Sequence, residues 1–318
     1  MSSIIKTDVK LAPYTTYNIG GPAKWFAEAE NEKDIADIVK EYENMFPDLS
    51  EKKIFILGGG ANVLFSDDGY EGLVIKISVK GIKTDSDGTI TAGAGESLKD
   101  VVLAATDNEL SGLEWAAGIP GSFGGAIRGN AGAFGGEMKD SIVSVESLRI
   151  DDANKMIGRD NKECRFGYRT SIFKNDARDE VIIYGKVKLA PGIKKDIEAK
   201  CVENMNYRQD KQPIEFPSAG STFKNVDVKK ITESRREEWV SVIKTDPFPV
   251  VPAAFLISEA ELKGYRVGGA MISDKHPNFF INVGGATSND VKRLIAETKK
   301  RIKEKFGIEM EEEIQIVE

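Results

Sequence analysis

The sequence predicts an α+β protein with more than one structural unit, and three observations carry that reading. The first hundred residues alternate amphipathic helices with short apolar strands, the pattern of a layered α/β unit. Composition then shifts at Arg208-Gln209-Asp210-Lys211-Gln212-Pro213-Ile214-Glu215-Phe216-Pro217, where charge and proline interrupt the periodicity. A second glycine-marked region, 218–285, follows the break and leads into one long helix and a final strand. At 318 residues the chain has room for two domains, or for one large domain with an insertion.

Each element has its own warrant. Asn31 is placed to cap a helix over 32–46, whose apolar positions Ile35, Ile38, Val39, Tyr42, Met45 and Phe46 keep the helical period. Ile54–Leu57 and 73–77 read as short buried strands, and Thr89–Gly93 as another. Ser97, with Asp100 three residues on, opens a helix carrying Leu98, Val101, Val102 and Ala105 on one face. Strands are expected at 142–150 and 181–189, with the loop Cys164-Arg165-Phe166-Gly167-Tyr168-Arg169-Thr170-Ser171 between them, and then a polar helix at 193–207. Residues 233–239 read as a charged surface helix and 253–257 as an apolar one. Ser288 is expected to cap the last helix, with Val291, Leu294, Ile295, Ile302 and Phe306 inward, before the alternating strand 313–317.

Composition excludes several partners. A net charge of −7 and a pI near 5.2 argue against a nucleic-acid or acidic-membrane surface. The basic runs Lys299-Lys300-Arg301 and Ser234-Arg235-Arg236 read as solvated faces. The start, Met1-Ser2-Ser3-Ile4-Ile5-Lys6-Thr7-Asp8, lacks the apolar core of a signal peptide. The longest uncharged apolar run, 248–257, contains Pro249 and Pro252 and is too short to span a bilayer. A cytoplasmic protein is therefore expected, and it is read as a monomer although the residues do not give the oligomeric state. Cys164 and Cys201 stand far apart in no metal-binding spacing and read as reduced thiols. The single histidine, His276, rules out a His-rich metal site, and no metal is expected. Acid–base chemistry then falls to Ser, Glu, Lys, Arg or Tyr.

Two glycine clusters point to a ligand. Residues 118–136 hold eight glycines in nineteen positions, with no acidic side chain before Glu137. A second cluster, Leu57-Gly58-Gly59-Gly60-Ala61-Asn62, follows the apolar run Ile54–Leu57. Successive backbone N–H groups in such loops form concavities that suit phosphate oxygens. Two of them suggest a large cofactor with a pyrophosphate. Neither is a standard dinucleotide fingerprint and no P-loop occurs, so the loops alone say only that a phosphate-bearing ligand lies against backbone.

The order of motifs is more specific. Tyr14-Thr15-Thr16-Tyr17-Asn18-Ile19-Gly20-Gly21-Pro22-Ala23 precedes the Gly58 cluster, and Gly112-Leu113-Glu114-Trp115-Ala116-Ala117-Gly118-Ile119-Pro120-Gly121-Ser122 comes next. Then follow Gly129-Asn130-Ala131-Gly132-Ala133, Phe166-Gly167-Tyr168-Arg169 and Ala219-Gly220-Ser221-Thr222-Phe223-Lys224-Asn225. Leu262-Lys263-Gly264-Tyr265-Arg266-Val267-Gly268-Gly269-Ala270 and Met310-Glu311-Glu312-Glu313-Ile314 complete the series. In this order, from about Leu11 to Val317, the chain resembles the UDP-N-acetylenolpyruvoylglucosamine reductases, flavoenzymes of bacterial cell-wall precursor synthesis, in their shorter-loop class.

The resemblance implies an FAD-binding half of the vanillyl-alcohol-oxidase type, made of subdomains 1–80 and 81–207, the latter joined by the terminal strand 308–318. A substrate lobe at 208–307 would carry an insertion at 227–248. FAD is expected to be non-covalent, with NADPH as co-substrate and a UDP-sugar enolpyruvyl ether as substrate. By the same resemblance the cofactor would meet Tyr17, Gly58, Gly59, Gly60, Ala61, Asn62, Gly118, Pro120, Gly121, Ser122, Gly124 and Gly125. Hydride added to the β-carbon leaves an enolate-like charge beside the carboxylate, and the α-carbon then needs a proton. The matching residues are Arg169 on the carboxylate, Ser221 as proton donor and Glu313 as the stabilising carboxylate. Lys224, Asn225 and, by a looser Lys-Gln-Pro match, Lys211 fall to substrate binding, while Arg266 and His276 read as structural.

Two departures stand out. Val226 replaces the usual proline after Phe-Lys-Asn, and the insertion follows at once, which opens the uridine diphosphate contacts to change. The competing readings are another flavin oxidase of the same fold and a non-enzymatic nucleotide-binding protein.

Overall fold

A computed structural model describes residues 4–46, 53–245 and 248–318, which divide into two compact units. The first comprises Met1–Val9, Ala23–Gly60 and Tyr70–Tyr207. One of its sheets runs in the order Lys6–Lys10, Pro22–Ala29, Tyr70–Ile77, Ile54–Leu57. The last three strands are parallel, so the chain needs a crossover between Pro22–Ala29 and Ile54–Leu57, and the helix Glu32–Met45 supplies it. Asn31 caps that helix as expected, its Oδ1 accepting the Asp34 amide at 3.1 Å. Ile35, Ile38, Val39 and Tyr42 are buried, and Trp25 meets Tyr42 and Phe46 edge-on at 5.5 and 4.6 Å.

The second sheet of this unit has five strands, all antiparallel: Asp152–Asp160, Ile142–Arg149, Glu180–Lys188, Thr89–Gly93 and Ile82–Thr84. Ser97 caps the helix Leu98–Asp107 by accepting the Asp100 amide at 3.0 Å. The strand Asp152–Asp160 has no counterpart among the expected elements. Its Asp-Ala-Asn-Lys-Met-Ile-Gly-Arg-Asp lacks alternation because it lies at the sheet edge, where polar residues are tolerated and block further pairing. Cys164 is buried in this core, which pushes its thiol up to about 12, and both cysteines are free.

The second unit comprises Lys10–Pro22, Ala61–Gly69 and Arg208–Glu318. Its antiparallel sheet has the order Ser218–Ser221, Phe279–Asn282, Ala270–Ile272, Arg266–Val267, covered by the helices Ala253–Glu259 and Ser288–Phe306. Thr287, not Ser288, caps the long helix: its Oγ1 accepts the Asp290 amide while Asp290 accepts the Thr287 amide, each at 3.1 Å. Ser288 is instead the first helical residue, and its hydroxyl donates to Asp67 at 2.7 Å. The Asp67 carboxylate also accepts the Ser288 amide, placing negative charge at the helix N-terminus and tying Ala61–Gly69 to this unit. The terminal strand Gln315–Val317 pairs in parallel with Val63–Phe65, whereas the expectation placed it with the 81–207 region.

The insertion is more than a charged surface helix. Glu233–Glu238 is helical, but Trp239 just beyond it is 5% exposed and stacks edge-on with Phe255 and Phe306 at 5.4 and 5.5 Å. Arg235 lies over the Trp239 ring at 5.3 Å. A hydrophobic anchor thus holds the segment to the two helices of the second unit. Among the described residues no helix is long and apolar enough to cross a membrane.

Candidate active site

The two glycine loops of the first unit meet at Ser122. This residue caps the helix Phe123–Gly129, its Oγ accepting the Gly125 amide at 3.3 Å, and the same oxygen accepts the Gly59 amide at 3.1 Å. A Cβ on Gly59 would lie 2.5 Å from Gly121 Cα and from Ser122 N, so Gly59 is glycine because two backbones touch there. The first turn of the helix is also committed internally: the Phe123 and Gly124 amides donate to Glu96 O at 2.8 Å and Ala94 O at 2.9 Å. Gly118, Pro120 and Gly125 remain exposed, and a Cβ on Gly125 would meet only Ser122 Oγ, at 3.3 Å. The open rim of the joined loops is therefore Gly118, Pro120 and Gly125, while Gly58, Gly59, Gly121, Ser122 and Gly124 build its floor.

The unit boundary falls inside the first glycine motif. Gly60 belongs to the first unit and Ala61 to the second. Asn62 Nδ2 donates to Glu313 O at 3.0 Å and Asn62 O accepts the Gln315 amide at 3.0 Å, so this side chain holds the C-terminal strand. Tyr17, also in the second unit, is buried, and its hydroxyl has no hydrogen-bond partner among the described residues. Burial raises the phenol well above its ordinary value, which keeps the O–H as a donor. A buried hydroxyl without a protein partner suits an outside acceptor, so the residues present fit a bound flavin nucleotide.

Arg169 occupies a tight turn of the first unit. Gly167 and Thr170 exchange both backbone hydrogen bonds, at 3.0 and 3.2 Å, which leaves Tyr168 and Arg169 at the tip. Arg169 adopts φ +55°, a left-handed conformation that is costly for a non-glycine residue and needs tertiary support. The support is visible. Arg169 Nη2 donates to Gly132 O at 2.9 Å, Lys174 Nζ donates to Arg169 O at 2.8 Å, and the guanidinium lies 5.3 Å from the Tyr168 ring. Asn130, fully buried and itself at φ +45°, donates to Gly167 O at 2.9 Å and to Glu137 at 3.2 Å. Ser171 Oγ donates to Arg128 O at 2.7 Å. These bonds stitch the turn to the 128–132 segment and aim the guanidinium.

The segments that carry Ser221 and Glu313 pair within the second unit. The Glu313 amide donates to Thr222 O at 2.8 Å and the Lys224 amide to Glu311 O at 2.9 Å, with Phe223 bridging Glu312. This ladder sets the register among three consecutive glutamates: Glu311 pairs with Lys224, and Glu312 with Lys299 at 2.8 Å. Lys224 is thus already ion-paired, and Asn225 Oδ1 accepts the Ala253 amide at 3.0 Å, holding the helix Ala253–Glu259. Lys211 is exposed at the end of the helix Lys194–Lys211.

Sequence reasoning missed Asn278. It is buried, its Oδ1 accepts the Phe223 amide at 3.0 Å, its Nδ2 donates to Phe223 O at 2.8 Å, and its backbone oxygen accepts the Thr222 amide at 2.7 Å. The side chain thereby copies a strand neighbour and pins the turn that follows Ser221. The one available signal was an asparagine directly before the apolar Phe279-Phe280. His276 packs edge-on against Phe279 at 4.8 Å, and burial, with Lys244 adding to it, lowers its imidazole below the ordinary value. Among the described residues no group of three or more His, Cys, Asp or Glu is placed to hold a metal.

Residues 212–317 match the family described as UDP-N-acetylenolpyruvoylglucosamine reductase, C-terminal domain, and residues 23–153 match an FAD binding domain. The chain is 39% identical over 312 residues to the UDP-N-acetylenolpyruvoylglucosamine reductase of Caldanaerobacter subterraneus subsp. tengcongensis, covering 96% of this chain and 90% of that one. It is 38% identical over 317 residues to that of Clostridium perfringens, covering 98% and 93%. The solved reductase from Thermus caldophilus superposes with a TM-score of 0.75 at 30% identity, covering 99% of both chains. The chain belongs to the UDP-N-acetylenolpyruvoylglucosamine reductase family.

Proposed function

We infer that this chain reduces UDP-N-acetylglucosamine enolpyruvate to UDP-N-acetylmuramate in peptidoglycan precursor synthesis, with NADPH as the source of reducing equivalents. The chemistry that FAD supplies when bound is hydride transfer from NADPH to the β-carbon of the enolpyruvyl double bond. The rim at Gly118, Pro120 and Gly125 and the floor at Gly58, Gly59, Gly121, Ser122 and Gly124 would hold the cofactor's diphosphate, and the buried Tyr17 hydroxyl is the further donor we assign to the cofactor. No cysteine or histidine lies in either loop, which favours a non-covalent flavin.

The protein's own residues manage charge and proton. Arg169 would hold the substrate carboxylate with its planar fork and offset the enolate charge that develops beside it. Ser221 would deliver a proton to the α-carbon, completing saturation of the double bond. Glu313 would fix the geometry of that step from the neighbouring strand. Lys211, Lys224 and Asn225 would meet the uridine diphosphate, with Lys224 exchanging its Glu311 partner for phosphate. We place the enzyme in the cytoplasm as a monomer.

The observation that carries the reading is the backbone ladder that sets Glu313 beside the Ser221 turn in a defined register. Anaerobic NADPH should bleach the flavin band, and the enolpyruvyl substrate should restore it. Oxygen restoring the colour while the substrate does not would favour an oxidase instead, and a colourless purified protein would favour a binding module.

A further inference from the structure

Arg128 has no role in the reading above. It sits in the last turn of the helix Phe123–Gly129, half-buried, and its guanidinium has no carboxylate, hydrogen-bond acceptor or aromatic face among the described residues. Burial alone lowers its guanidinium from the ordinary value, with no opposing acid nearby. A helix-end arginine that only balanced the helix dipole would stay hydrated at the surface. A desolvated cation with no internal partner loses hydration for nothing unless a ligand supplies the charge.

Direction narrows the ligand. Helical side chains lean toward the helix N-terminus, over the residues three and four positions earlier. For Arg128 those are Gly125, which is exposed, and Gly124, which is packed against Ala94. The open side of that pair leads to Ser122, where the two glycine loops join. The amides of the first helical turn are already committed there, so a diphosphate on this rim lacks charge from the helix end itself.

We propose that Arg128 is the cation that neutralises the diphosphate of FAD over Gly125, an assignment that rests on the loop cradle proposed above. The arginine supplies the charge, and the loops supply shape. Arg128→Gln should weaken FAD binding about 10- to 100-fold, the range expected for losing a charge-assisted contact, and flatten its dependence on ionic strength. Riboflavin, which lacks phosphate, should bind both proteins alike. Flavin release from the holoenzyme, followed by recovery of flavin fluorescence across a salt series, measures all three. Unchanged FAD affinity would overturn the proposal. A raised KM for the UDP-sugar with FAD retained would also overturn it and assign Arg128 to the substrate's diphosphate. Gly125→Val separates the two readings: intact FAD affinity in that variant, beside a loss in Arg128→Gln, refutes the cradle and keeps the arginine. Should Arg128→Gln fail to fold, Arg128→Lys decides, because a lysine keeps charge without the fork: a loss of roughly 3- to 10-fold supports the proposal and wild-type affinity overturns it.

Discussion

The glycine loops of the first unit and the Ser221–Glu313 ladder of the second solve different problems with different means. At the loops, side chains are removed so that backbones can touch, and one serine hydroxyl ties the two segments together. At the ladder, side chains are kept and their positions are set by strand pairing and by Asn278 acting as a surrogate strand. The contrast fits what each must present. A diphosphate is met by a shaped surface, whereas a proton donor has to be held at one distance from one carbon. The loops should therefore fail by losing cofactor and the ladder by losing rate.

The sharpest break in that contrast is at Ser221. Ser221→Ala should slow reoxidation of the flavin by the enolpyruvyl substrate by a factor on the order of 10² or more, while NADPH reduction stays near the wild-type rate. Cysteine at the same position should restore part of the loss. Stopped-flow absorbance of the two half-reactions measures this, and equal slowing of both would assign the effect to folding or flavin displacement.

Asn278→Leu comes next. It leaves the buried Phe223 amide and carbonyl without side-chain partners, at about 1–3 kcal/mol for each unsatisfied group. Urea denaturation should register that loss. Flavin content in the remaining folded protein should be normal while reoxidation slows, because the Ser221 turn is freed. Normal reoxidation would detach Asn278 from the chemistry.

Gly59→Val and Gly125→Val sharpen the other side. The first drives a branched side chain into Gly121 and Ser122 and should cost about 1–3 kcal/mol of stability as well as flavin. The second meets only the Ser122 hydroxyl, at 3.3 Å, and no backbone, so it should lose flavin while the melting temperature without cofactor falls less than for Gly59→Val. Identical behaviour of the two variants would mean that the loops do not divide into floor and rim.

The smallest effect is a pH dependence. Burial lowers the His276 imidazole, so below its ordinary pKa the unfolded chain binds a proton that the folded chain resists. Stability carried by neutral His276 is present above that pKa and is lost as pH falls through it and on toward the lowered folded value. His276→Gln should unfold with a shallower pH slope between about pH 7 and pH 5. An unchanged slope would place the titration elsewhere.

How legible all this was depended on whether the cause lay within a few residues. Asn31 and Ser97 were readable as caps because a cap needs only an acceptor and an amide three residues on. Thr287 and Ser288 were not separable that way, since both are hydroxyl residues and Asp67, far away in sequence, decides which one caps. Trp239 hides in a charged run, and its partners Phe255 and Phe306 lie in other helices. At the site, Ser221, Glu313 and Arg169 were reached through motif order, but the register that distinguishes Glu313 from Glu311 and Glu312 required the pairing with 222–224.

By itself, then, the sequence determined the helices with local caps and periodic faces, the strands that run through buried layers, the family and the residue types available for chemistry. Tertiary structure alone decided which glycine touches backbone and which meets only a hydroxyl, which asparagine stands in for a strand, and which arginine is left without an internal counter-charge. The reason is the range of the forces involved. Caps and periodicity are satisfied by neighbours in sequence, whereas desolvation and close approach depend on whatever the rest of the chain brings to the same place.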